Sequence, residues 1–221
     1  RKLKGGVGGL YNGKIAPLIP YALRGVIWYQ GEANTKSMEQ ARLYEHQLPL
    51  LIKDWRRRWG DVFPFAWVQL PNFAKNGEPW CVVREGMLKT LALPHTGMAI
   101  TVDIGNPDNV HPQNKEEVGR RLSLWALGSV YGKEVPTISG PLPAGHKIKG
   151  GEVTLQFRHT NGGLVAKGGA LKGFVVAGED RKWHPAQARI AGTQVIVSCT
   201  EVPRPVAVRY AWEANPDCNL F

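Results

Sequence analysis

The stretch GVIWYQGEANT, residues 25–35, opens as a strand and closes as a knot of polar groups. Val26, Ile27, Trp28 and Tyr29 form an unbroken apolar run, which predicts a parallel-sheet strand buried on both faces. Gln30, Glu32 and Asn34 then arrive on every second residue, with Gly31 among them. Core packing gives no reason for a buried strand to end in an amide, a carboxylate and a second amide. Ligands in parallel α/β sheets gather beyond the carboxyl ends of the strands. The knot marks the sheet edge where a site is to be sought.

On either side of it, the first 130 residues alternate strand-type and helix-type runs. A strand at 24–30 precedes a helix at 37–59, where Ala41, Tyr44, Leu48 and Ile52 recur at helical spacing and Pro49 is expected to kink or split the run. FAWVQL (65–70) predicts a second strand and 79–93 a helix with Pro79 in its first turn. TGMAITVDI (96–104) predicts a third strand and 114–132 a final helix. This alternation predicts an α/β fold, a parallel sheet with helices on both faces. Past Gly132 the texture changes. Residues 136–152 read as a Pro- and Gly-rich connection, and short β-type runs follow at 152–157, 173–178, 194–199 and 206–212. The expected division is an α/β domain over 1–133 and a small antiparallel β-rich accessory domain over 134–221.

Composition narrows the function. Hydrophobic residues at 43% and charged residues at 21% describe a folded globular chain rather than a disordered one. The net charge of +10 invites a nucleic-acid partner, but no RNA-binding signature, zinc-finger spacing or basic heptad accompanies it. The densest basic run, Arg56-Arg57-Arg58, reads as a solvated face; an acidic ligand such as a sialic or uronic acid is the weaker alternative. Eight tryptophans suit core packing first and sugar stacking second. Cys81, Cys199 and Cys218 cannot all pair internally, although Cys199 and Cys218 are close enough in sequence for a disulfide. No 18-residue apolar run predicts a membrane span.

Three strands end in polar residues on one edge: Gln30-Gly31-Glu32, Gln69 and Asp103. The third runs into DIGNPDNVHPQNK, where Asp108 and His111 lie three apart in a turn-prone loop. A carboxylate so placed can accept the imidazole Nδ1–H and leave Nε2 as a general base. Gly31 offers a backbone N–H for a developing oxyanion, and the amides of Gln30 and Asn34 offer more. The competing reading is that Gln30, Glu32 and Asn34 satisfy one another; for Glu32 a bracing role is preferred. His95, Asp103, Asp108 and His111 lack the spacings of known zinc sites.

The blocks LYNGKIAPLIPYALRGVIWYQGEAN (10–34), QLPNF (69–73), DIGNPDNVHPQNKEEVGRRLSLWAL (103–127) and VRYAWEANPDCNLF (208–221) together resemble the sialate O-acetylesterase family, within the SGNH hydrolases. The resemblance implies a flavodoxin-like α/β core with β-rich accessory regions, and a serine esterase that removes acetyl groups from sugar hydroxyls without a cofactor. Carried onto these positions, it implies His111 as general base and Asp108 as its orienting acid, with Asp103 as fallback. Gln30 and Gly31 fall in the block that lines the oxyanion hole, Gln69 on the pocket wall, and Asn34 where relatives vary. Met87 departs from the glutamine usual after WCVVRE, which puts one polar contact in doubt. The family is typically exported, so an extracytoplasmic location is expected, with an acetylated sugar as partner and neither nucleic acid nor membrane.

The family's serine lies in an upstream Gly-Gln-Ser-Asn type block. The serines here are Ser37, Ser123, Ser129, Ser139 and Ser198, and none has that setting. The chain also opens on Arg1-Lys2 without methionine or signal peptide. The expectation is a fold incomplete at its N-terminus, with the serine supplied by an upstream segment or subunit. The alternative is a non-catalytic carbohydrate-binding subunit or inactive fragment, using Trp183 and Trp212. By the first reading the 221-residue chain alone releases no p-nitrophenol from p-nitrophenyl acetate; hydrolysis that disappears with His111→Ala contradicts it.

Overall fold

The computed structural model describes residues 8–221, so the start of the first expected domain lies outside the described residues. Three short parallel strands form the inner sheet: β1 (Val26–Trp28), β2 (Phe65–Val68) and β3 (Thr96–Ala99), in the order β1–β2–β3. A short α1 (Gly9–Lys14) precedes them. Helices α2 (Met38–Trp59), α3 (Glu78–Thr90) and α4 (Lys115–Ser129) follow the three strands in turn.

The register explains which helix covers which face. Val26 and Trp28, Phe65 and Trp67, and Thr96 and Met98 share one face, which packs against α2 and α3. Ala41, Tyr44, Leu48 and Ile52 of α2 and Trp80, Val83 and Met87 of α3 are buried there. Each large side chain so buried contributes about 1.5–3 kcal/mol of hydrophobic stabilisation. The other face carries the row Ile27–Ala66–Gly97. Its small residues admit α4: a Cβ on Gly97 would stand 2.1 Å from Trp125 Nε1.

Several expectations are corrected. β1 is not buried on both faces, because α4 reaches β2 and β3 and leaves Ile27 69% exposed. Pro49 does not split α2, which runs unbroken with its apolar stripe held against α3. Ser37 caps it, accepting from Gln40 N at 3.2 Å. The basic run is not one solvated face. Arg56 is buried and donates to the carbonyls of Phe63 and His95, while Arg57 and Arg58 pair with Asp54.

The β-rich part holds seven strands in two antiparallel sheets. β4 (Leu142–Lys149), β5 (Glu152–Arg158), β9 (Gln194–Ser198) and β8 (Gln187–Ala191) form one, in the order β4–β5–β9–β8. β10 (Ala207–Tyr210), β6 (Phe174–Ala177) and β7 (Trp183–Pro185) form the other, in the order β10–β6–β7. Val153, Phe174, Val176, Val195 and Val197 make their shared core. All of β4 falls in the stretch read as a connection. It is an exposed edge strand with a bulge between Pro143 and Gly145, the setting in which proline and glycine are tolerated in a strand. Among the described residues all three cysteines are free, so Cys199 and Cys218 form no disulfide.

Gly97→Ala is expected to destabilise the fold by about 1–3 kcal/mol, the usual cost of overpacking, and Trp125→Leu to recover part of the loss. The urea midpoint measures both, and an unchanged midpoint for Gly97→Ala contradicts the packing of α4 on this strand.

Candidate active site

The end of β1 is held from below. Gly31 has φ 155° and ψ −22°, a backbone setting that favours glycine, and a Cβ there would stand 2.8 Å from Met87 Cε and 3.2 Å from Leu70 Cδ2. Met87, the departure from the family pattern, thus gives Gly31 an apolar floor. Tyr44 of α2 donates its hydroxyl to the Gln30 carbonyl at 3.0 Å. Burial, with Glu32 adding to it, pushes the Tyr44 phenol up to about 12, so it stays a donor.

Two amides of the knot satisfy each other. Gln30 Nε2 donates to Asn34 Oδ1 at 2.8 Å, and Asn34 Nδ2 donates onward to Gln47 of α2 at 3.0 Å. Glu32 opens a short 3₁₀ turn, Glu32–Thr35, and its carbonyl accepts from the Thr35 hydroxyl. The Gly31 N–H has no hydrogen-bond partner among the described residues.

The loops after the three strands are joined to one another. Asn76 Nδ2 donates to Thr35 Oγ1 at 2.8 Å, tying the loop after β2 to the turn after β1. Asn72 Oδ1 accepts from Gly105 N at 2.6 Å, and Ala74 N donates to the Pro107 carbonyl at 2.9 Å, tying that loop to the one after β3. Lys115, in the first turn of α4, donates to Tyr29 Oη at 3.1 Å and closes the ring. Gln69 lies inward of these ties, with its side-chain oxygen toward Thr101 N at 3.4 Å.

His111 projects from a braced turn. Asn106 Oδ1 accepts from the backbone N–H groups of Asp108 and Asn109, and Asn109 Oδ1 accepts from His111 N. Val110 packs against the core and Pro112 is buried, leaving His111 exposed between two anchored neighbours. The expected bond from His111 to Asp108 is not formed: both residues are exposed, and neither side chain has a hydrogen-bond partner among the described residues. The turn is closed by asparagine side chains instead. Asp103 is not a spare carboxylate. Arg121 grips it with two hydrogen bonds, at 2.6 and 2.7 Å, and also holds Glu117 at 2.8 Å.

Among the described residues no group of three His, Cys, Asp or Glu side chains converges to hold a metal. Tyr44, Asn72, Asn106, Asn109 and Arg121 escaped the sequence reading, because each acts through a partner distant in the chain or through the backbone. The visible signal for Asn72 was its place in the QLPNF block that follows β2.

The family model for carbohydrate esterase, sialic acid-specific acetylesterase, matches residues 12–126, more than half of the chain. The chain belongs to this sialic acid-specific acetylesterase family. Mouse and human sialate O-acetylesterases are each 32% identical to it, aligned over 94% and 96% of this chain but only 42% and 46% of their own lengths. A solved carbohydrate acetylesterase from Xanthomonas citri superposes with a TM-score of 0.91 at 46% identity, over 96% of this chain and 50% of that one. This member of the acetylesterase family therefore spans about half the length of the relatives it matches. Its fold is SGNH-like α/β with a small β-domain.

The pairing of Glu117 with Arg120 and Arg121 makes stability depend on acid. Hydrogen bonding to Arg120 foremost, with Arg121 adding to it, lowers the Glu117 carboxyl from 4.5 to about 2. A folded value below the unfolded one means that the contribution is complete above 4.5 and is lost as pH falls toward about 2. The urea midpoint of the native chain is expected to fall more steeply through this window than that of Glu117→Gln. Parallel curves contradict the assignment.

Proposed function

We propose that these residues form the histidine-bearing part of a carbohydrate O-acetylesterase, acting on acetyl esters of sugars and on sialate 9-O-acetyl esters foremost. The observation that supports the reading is the ring of hydrogen bonds joining the loops after β1, β2 and β3, in a chain of the acetylesterase family. That ring carries the unoccupied N–H of Gly31 and the turn bearing His111.

In this mechanism His111 Nε2 takes the proton of a serine hydroxyl as its oxygen attacks the acetyl carbon. The oxyanion is stabilised by Gly31 N–H, with Gln30 Nε2 contributing the hydrogen it does not give to Asn34. The imidazolium returns its proton to the departing sugar oxygen, then His111 activates the water that frees acetate. Asp108 accepts Nδ1–H after a side-chain rotation, Gln69 lines the substrate wall, and Glu32 and Asn34 brace the oxyanion loop. No cofactor takes part.

The serine comes from a segment or subunit beyond these residues. Ser37 is occupied as a helix cap, Ser123 donates to the Arg120 carbonyl within α4, Ser129 closes α4, and Ser198 lies in β9. Ser139 lies in the connection before β4 and shares no hydrogen bond with a histidine. The β-rich residues 134–221 serve as the accessory domain. An extracytoplasmic location accords with the family; among the described residues no helix is long and apolar enough to cross a membrane.

The test is acetate release from 9-O-acetylated N-acetylneuraminic acid by the polypeptide that joins these residues to a Gly-Gln-Ser-Asn block. His111→Ala is expected to lower the rate by about 100-fold or more, and Asp108→Asn to lower it less. Unchanged turnover by His111→Ala removes the proposed base.

A further inference from the structure

A cleft of 740 Å³ separates the α/β part from the β-rich part, floored by α3 and α4 and roofed by β5, β10 and the C-terminal segment. It excludes His111, Asp108, Gln30 and Gly31, while Gln69 and Asp103 are on its wall. Its size falls in the range of small-ligand pockets.

Three residues of this wall each hold a buried polar atom, behind the cleft surface, with no hydrogen-bond partner among the described residues: Arg84 Nη1, Trp212 Nε1 and Ser139 Oγ. All three can donate, and an unmade buried bond is costly. Arg84 is only 5% exposed, and its other contacts are the Glu213 carbonyl and the Cys81 sulfur. Burial weakens its hold on the proton, as befits a cation without a counter-ion.

The charges agree with the donors. Asp103 and Glu117 are matched by Arg121 and Arg120, and Glu85 lies 3.7 Å from Lys89. Arg84, Arg209 and Lys167 are left on the wall with no carboxylate partner among the described residues. Arg209 is also fixed in place. Its guanidinium carbon sits 4.1 Å from the Trp183 ring centre and 4.3 Å from that of Trp212. A guanidinium stacked on indole rings keeps its N–H edge free for bidentate binding of a carboxylate.

We propose that this cleft is a binding site for a carboxylate-bearing sugar, with the carboxylate on the Arg209 guanidinium, the buried charge of Arg84 behind it, and the orphaned donors of Trp212 and Ser139 reached by the ring hydroxyls after small side-chain shifts. The apolar walls take the carbon face of the ring. The site excludes His111, Asp108, Gln30 and Gly31 and meets the proposed ester-cleaving rim at Gln69; the proposal does not rest on the esterase reading, since binding needs neither the acetyl group nor a serine.

The test is calorimetric titration and tryptophan fluorescence of the 221-residue chain with N-acetylneuraminate and D-glucuronate, their methyl esters, glucose and inorganic phosphate. The free sugar acids are expected to bind and to perturb the fluorescence. Methyl esterification, or Arg209→Gln, is expected to weaken binding about tenfold or more, the equivalent of one charge-assisted hydrogen bond. Arg209 is only half-buried, unlike Arg84, so this variant is the decisive one if Arg84→Gln fails to fold. The proposal is overturned if acid and ester bind alike, if Arg209→Gln binds as the native chain does, if phosphate binds as tightly as the sugar acids, or if no sugar acid binds.

Discussion

The side chain of Asn72 holds together parts of the molecule that the sequence keeps far apart. Its oxygen accepts from Gly105 N in the loop after β3, and its amide nitrogen donates to Asn215 Oδ1, 143 residues away, at 2.8 Å. The approach at Gly105 leaves no room for a side chain: a Cβ would stand 2.3 Å from the Asn72 carbonyl oxygen. Around this amide, Phe73 N donates to the Ala214 carbonyl and Arg84 to that of Glu213. The C-terminal segment is thereby strapped to the strand ends of the sheet. The candidate rim and the cleft behind it both depend on the strap.

Short strands make such ties necessary. β1, β2 and β3 are three or four residues each and contribute few ladder bonds. The large apolar residues beneath them hold the layer, but packing is non-directional and cannot fix loops to within a hydrogen-bond length. Directional amide bonds can. Asparagine recurs at 34, 72, 76, 106 and 109 because its side chain both donates and accepts and mimics a backbone group in turns.

Electrostatics divides the rim from the cleft. Where the two meet, Asp103 and Glu117 are balanced by Arg121 and Arg120, which stiffens the start of α4. Along the cleft the cations outnumber the acids, and aromatic rings rather than carboxylates hold Arg209 and Lys167. One chain therefore presents a polar edge at the strand ends beside a basic, apolar-walled hollow.

The sequence alone determined what is local. Apolar periodicity gave the strand and helix alternation, the polar residues after the strands marked one edge, and GVIWYQGEANT, QLPNF and the Asp108–His111 loop carried the family resemblance. These features are legible because each depends on neighbours within a turn or a strand. Tertiary structure decided the rest. The reach of α4 left Ile27 exposed, pairing with β5 turned a Pro- and Gly-rich stretch into β4, and the Phe63 and His95 carbonyls drew Arg56 inside. Arg121 claimed Asp103, and the amide chain from Gln30 to Gln47 fixed the loop after β1. In each case the deciding partner lies far away in sequence, where no periodicity can announce it.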